Sequence, residues 1–144
     1  MAEPGTPSID HVFNGAKVKG QVGIVFSAWN IGELIGTLDR RHAQNRLSDA
    51  DYSSAIQNFS GETLEMAQHG SIRIMPITGK LLTASWKILV REHIYQADAL
   101  QIASCKEEAC DILLSADRQL LAAAKKQRIE GFDPERDEKK LISL

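Results

Sequence analysis

The sequence predicts an α/β fold: a small parallel sheet flanked by helices in a three-layer arrangement. Three observations carry this reading. Short runs rich in β-branched residues, "QVGIVF" (21–26), "SIRIMPI" (71–77) and "DILLS" (111–115), recur along the chain, and long segments of helical periodicity separate them. Those separations are helical crossovers, which join parallel strands, whereas hairpins would join antiparallel ones. With 144 residues, 43% of them hydrophobic, the chain can bury one core and suits a single domain.

Taken in order, residues 1–10 contain Pro4, Gly5 and Pro7 and read as a flexible leader, followed by one domain over 11–144. "QVGIVF" ends at Ser27, whose hydroxyl suits an N-cap, and Trp29, Ile31, Leu34, Ile35 and Leu38 then fall at helical spacing. A second helix opens with Ser48 as N-cap and Asp51 three residues on. It places Ile56, Phe59, Leu64 and Met66 on a buried stripe and stops at Gly70. "SIRIMPI" alternates between Gly70 and Pro76, as a strand does. "TGKLLTASWKILVREH" and "YQADALQIASCKEEAC" read as two helices, followed by strand "DILLS", helix "DRQLLAAAKKQR" and a short strand "IEGFD" ended by Pro134. The predicted order is β-αα-β-αα-β-α-β.

Composition narrows the function. A net charge of −2 gives no global attraction to nucleic acid or to anionic membrane, so any polyanion requires a local basic face. Cys105 and Cys110 lie in one predicted helix and fit neither a disulfide framework nor a zinc half-site, which leaves free thiols in a reducing compartment. There is no signal-peptide pattern and no long apolar run, so a soluble, cytoplasmic protein without membrane attachment is expected. The "NFS" at 58–60 is then a chance sequon.

Familiar catalytic motifs are absent. Gly79-Lys80 has Ile74 where a phosphate-binding loop requires its first glycine, and neither G-x-G-x-x-G, G-x-S-x-G nor H-E-x-x-H occurs. His11, His42, His69 and His93 are scattered in polar surroundings and read as surface residues, and "GQVG" (20–23) lacks the basic filling and flanks of a KH loop.

What remains is acidic. In a parallel α/β sheet, ligands bind at the carboxyl ends of the strands. Asp117 follows "DILLS" directly, Asp98 falls in the first turn of its helix, and Glu33 lies in the first two turns of the helix after the first strand. Three βα junctions therefore bring three carboxylates toward one edge. Packed together they repel, and a divalent cation is the natural remedy. Hard oxygen donors without His or thiolate suit Mg²⁺ or Mn²⁺, whose chemistry serves phosphodiester or phosphomonoester hydrolysis. Each acid also has a structural role open to it: Asp98 as an N-terminal helix charge, Asp117 as an N-cap, and Glu33 as a solvated helix residue.

"FSAWNIGEL", "YQADALQIASCKEEACDILLSADRQLLAAA" and "GFDPE" together resemble the PIN-domain ribonucleases, in particular the toxins of VapBC-type toxin–antitoxin pairs. The similarity spans roughly residues 21–135. Its most specific part is the aspartate of "ADAL", followed about nineteen residues later by the aspartate of a Ser/Thr-x-Asp segment, then a helix and a short strand reaching Pro134. The resemblance implies a PIN-like three-layer fold and Mg²⁺- or Mn²⁺-dependent endonucleolytic cleavage of RNA. It implies Glu33, Asp98 and Asp117 as catalytic metal ligands, with Ser115 behind them. A homodimer and a small antitoxin protein are the implied partners, with "LIGTL" and "KLLTASWKILV" as their candidate surfaces.

One departure bears on both fold and chemistry. The family begins with a strand ending in aspartate that lies in the middle of the sheet, and "QVGIVFS" has no such strand before it. Asp10 is the nearest substitute. Either the natural polypeptide starts upstream of Met1, or the sheet re-closes by joining its strands or by dimerising, or the chain is a degenerate member that no longer cuts. The functional readings are therefore an endoribonuclease, with Arg40, Arg41, Lys125, Lys126 and Arg128 as candidate phosphate contacts or plain solvated helix faces; a catalytically incomplete PIN-like binding or regulatory module; and, more remotely, a phosphatase or flap-type nuclease acting on DNA.

Overall fold

The computed structural model describes residues 4–18 and 21–144. Along the chain it forms α1 (Thr6–Lys17), β1 (Ile24–Ser27), α2 (Ala28–Ala43), α3 (Asp49–Gln68), β2 (Ile72–Met75), α4 (Gly79–Glu92), α5 (Gln96–Glu107), β3 (Ile112–Leu114), α6 (Arg118–Lys126), β4 (Glu130–Phe132) and α7 (Glu138–Ile142). The expected order is present with a helix added at either end. Local chemistry sets the boundaries. Ser27 accepts from the Asn30 N–H while Asn30 reaches back to the Ser27 N–H, closing a capping box that starts α2. Ser48 accepts from the Asp51 N–H and starts α3, which stops where Gly70 takes a φ of 75°.

The parallel strands pair β1 with β2, placing Ile24 opposite Ile72 and Ser27 opposite Met75, and β3 with β4, placing Ile112 opposite Glu130 and Leu114 opposite Phe132. The expected small sheet is thus two separate two-stranded sheets. Among the described residues, every strand is an edge of its sheet. The apolar residues of β1 and β3, Ile24, Val25, Phe26, Ile112, Leu113 and Leu114, are only partly buried. Central parallel strands would be covered on both faces.

One helix, α5, touches both sheets. In α5, Ala99, Leu100, Ile102, Ala103, Ser104 and Cys105 are all buried, so little of this helix faces solvent. It packs on α4 and touches both β1 and β3. Val25 and Leu113 meet a core built from Met75, Leu81, Ile88, Leu100, Ile102 and Leu120. Its polar groups are satisfied locally: Ser104 donates to the Leu100 carbonyl, and Gln96 donates to Ser85. Cys105 and Cys110 are free thiols, and burial pushes the Cys105 thiol up to about 12.

The leader expected over residues 1–10 gives way at Thr6 to the first turns of α1, because that segment has tertiary partners. The buried Ser8 hydroxyl faces the carbonyl oxygens of Gly5 and Pro134 at 2.9 and 2.5 Å. Farther along α1, Phe13 packs against Phe26 with ring centroids 6.3 Å apart, in a second core with Ala16, Met66 and Ile72. Gly5 adopts φ 84°, and a Cβ there would lie 3.2 Å from the Glu135 nitrogen and from Pro134 Cβ. Gly5→Ala is therefore expected to cost about 1–2 kcal/mol, read as a lower urea midpoint at unchanged slope. An unchanged midpoint would mean that the start of α1 is not docked.

The helical hairpin α2–α3 departs from expectation in its burial. No residue of α2 is buried, and Trp29, Leu34 and Ile35 are exposed; Leu64, expected on the stripe of α3, is 60% exposed. Helical spacing identifies an apolar face without supplying its cover, and two strands present too little sheet to cover this one.

Candidate active site

Three elements deliver the predicted acids. Glu33 lies in the second turn of α2 and is exposed. Asp98 is the third residue of α5 and is partly buried. Asp117 stands between β3 and α6 as the N-cap, exposed, with Oδ1 accepting the N–H groups of Gln119 (2.7 Å) and Leu120 (3.2 Å). Those bonds hold the carboxylate in place and leave Oδ2 without a hydrogen-bond partner among the described residues. The structural role open to Asp117 as a cap is thus real and compatible with a ligand on its other oxygen. Ser115 acts on the backbone: its Oγ accepts the Asp117 N–H at 3.0 Å and fixes the turn that presents the acid.

Asp98 feels the other two charges. Its carboxyl is held above the usual aspartate range, first by burial, then by repulsion from Asp117 and from Glu33. Elements separated in sequence therefore bring these acids into one electrostatic neighbourhood, open to solvent at Glu33 and Asp117. Only oxygen donors are present, which fits Mg²⁺ or Mn²⁺ in kind. The side chains are nonetheless spread. Among the described residues, no three of the His, Cys, Asp and Glu type stand close enough together to hold a metal ion.

Other candidates fall elsewhere. Asp10 sits exposed on α1 and does not figure among the charges that act on Asp98. Asp133, in the "GFDPE" segment, is buried and structural: Oδ1 accepts from the Glu135 and Arg136 N–H groups, and Oδ2 lies 3.5 Å from Arg136 Nε. His42 is 2.7 Å from Asp49 and stacks on Tyr52, joining α2 to α3. Gly20 of "GQVG" lies outside the described residues.

Of the basic residues expected to contact phosphate, all are exposed, but Lys126 is already 3.5 Å from the buried Glu92 carboxylate and Arg40 donates to Thr37. A different set, Lys87, Arg91 and Lys106, rims a cavity of about 380 Å³ over Ala84, Ile88 and Ala103. Sequence reasoning also passed over Tyr95, which precedes Asp98 by one helical turn and is 79% exposed. The available signal was an aromatic ring at an N-cap position, where Ser, Thr, Asp or Asn is usual.

Helices around parallel strands define an α/β fold. More narrowly, the chain belongs to the PIN domain family, whose model matches residues 17–126. PIN domains are in general metal-dependent nucleases that act on RNA. No curated protein and no solved structure matches the chain. Among the described residues, no helix is long and apolar enough to cross a membrane.

Proposed function

We propose that this PIN domain is an endoribonuclease that hydrolyses RNA phosphodiesters with Mg²⁺ or Mn²⁺ held by Glu33, Asp98 and Asp117, and that it is the toxin of a VapBC-type pair in the cytoplasm. The observation that supports it best is that Asp98, whose carboxyl is held above the usual aspartate range first by burial, is also repelled by Asp117 and Glu33, carboxylates delivered by two other elements. Such a site favours either a proton or a cation. When bound, the ion supplies Lewis acidity for the attacking water and offsets charge on the leaving oxygen. The chain's own contribution is positional. Capping bonds hold Asp117, Ser115 sets its turn, and the buried body of α5 anchors Asp98. The assay is cleavage of a mixed structured RNA with Mn²⁺ and with EDTA: cutting with Mn²⁺ alone is expected, and no cutting by folded protein would overturn the reading.

Metal binding is also expected to appear in stability. At roughly one hundred times its Kd, Mn²⁺ adds about 2.7 kcal/mol, a rise of about 5–10 °C in Tm for a domain of this size. Mn²⁺ without effect on Tm would count against a metal site.

Exposed Leu34, Ile35, Trp86 and Val90 support contact surfaces for a second copy of the chain and for a small antitoxin. A second reading, a catalytically incomplete binding module, draws support from the spread of the three acids and the split sheet. It predicts RNA or protein binding without cleavage.

A further inference from the structure

The ring of Tyr95 stands largely outside the fold. Tyr95 is the N-cap of α5, yet its side chain makes no capping bond and stands 79% exposed. Thr78, Ser27, Ser48 and Asp117 cap α4, α2, α3 and α6 through side-chain oxygens. At α5, the helix with the most buried residues, that position is held by an exposed phenol that makes no capping bond. Asp98, three residues on, does not close the motif by reaching back to the Tyr95 N–H, although its position is where an acid would do so. Tyr95 stands at the mouth of α5, three residues before Asp98 across the first turn. A strand whose phosphate lies at Asp98 therefore has its nearest bases within reach of the Tyr95 ring.

Resting on the nuclease reading above, we propose that Tyr95 stacks on a base of single-stranded RNA beside the scissile phosphate and sets where the strand lies against the acids. Stacking on an exposed ring tolerates any base, so Tyr95 supplies affinity and register without strong sequence preference. The net charge of −2 makes such a contact valuable, because no global attraction draws RNA to this protein. Trp29, exposed and one helical turn before Glu33 on α2, offers a second ring near the same acids.

The test uses the full chain in EDTA with a fluorescein-labelled single-stranded RNA of mixed sequence, read by anisotropy. Tyr95→Ser is expected to weaken binding about tenfold while its Tm stays level or rises, because serine restores the missing cap. Tyr95→Phe is expected to bind within twofold of wild type, and Tyr95→Leu, with bulk but no π face, to bind as weakly as Tyr95→Ser. Equal binding by all three variants, or no binding by wild type, overturns the proposal. So does a shift of oligomeric state in Tyr95→Ser, which would assign the ring to a protein interface. Cleavage with Mn²⁺ on the same samples separates the two readings. If wild type binds through Tyr95 but never cuts, stacking stands and the nuclease reading falls. If wild type cuts and Tyr95→Ser cuts with unchanged KM, the nuclease reading stands and stacking falls.

Discussion

Asp98→Asn is expected to reduce Mn²⁺-dependent RNA cleavage by about a thousandfold or more, and yet to leave the metal-free protein more stable than wild type. Both effects have one cause. Burial and the charges of Asp117 and Glu33 disfavour the Asp98 carboxylate in the fold, so a neutral amide of the same shape removes the repulsion. The same amide removes a charge needed to hold a divalent ion, and the electrostatic help such an ion gives in phosphoryl chemistry is large. The Tm gain in EDTA is expected to be about 2 °C, small beside the activity loss but opposite in sign to what structural damage would give.

The pH dependence follows from the direction of the shift. A raised folded pKa means that the native state takes up its proton at higher pH than the unfolded chain does. In EDTA, this group therefore adds stability as pH falls through its folded pKa, until the unfolded value near 4 is reached. Asp98→Asn lacks that contribution. Loss of Tm in the variant at neutral pH, or an identical pH profile, would contradict the assignment.

The largest effect on stability is expected at Leu100. It is 0% exposed, in the middle of α5, within the core that Val25 of one sheet and Leu113 of the other both touch. Leu100→Ala removes methyl groups at the point where the two sheets share a helix and leaves a cavity that rigid neighbours do not fill. A loss of about 2–5 kcal/mol is expected, a large part of the total stability of a domain this size. Leu64→Ala, at a residue 60% exposed on α3, is expected to stay within about 0.5 kcal/mol. Comparable losses at both positions would mean that α5 is not the centre of the fold. Thermal and urea unfolding of the two variants measure this.

How much was legible in the sequence depends on the range of the signal. Ser27 and Ser48 announce their helices because an N-cap is a contact between residues three apart. The expectation of three βα junctions holds for Glu33 (β1–α2) and Asp117 (β3–α6), whereas Asp98 lies where α5 follows α4, so strand direction does not account for its place beside them. Helix α1 was not legible. Pro4, Gly5 and Pro7 resemble a loop, but Pro7 is acceptable in a first helical turn, and the deciding contact is Ser8 against Pro134 at the other end of the chain. The split between β1–β2 and β3–β4 is also a long-range pairing outcome that no local run encodes. The exposure of Trp29, Leu34 and Ile35 was hidden because periodicity marks a face and says nothing of its partner.

The central claim is that Glu33, Asp98 and Asp117 together bind a divalent metal ion. Titrating Mn²⁺ into the full chain and reading free ion by electron paramagnetic resonance tests it without RNA, antitoxin or turnover. Saturable binding by wild type that is weakened at least tenfold in each of Glu33→Gln, Asp98→Asn and Asp117→Asn is the predicted result. Binding that is absent in wild type, or unchanged in all three variants, would contradict it.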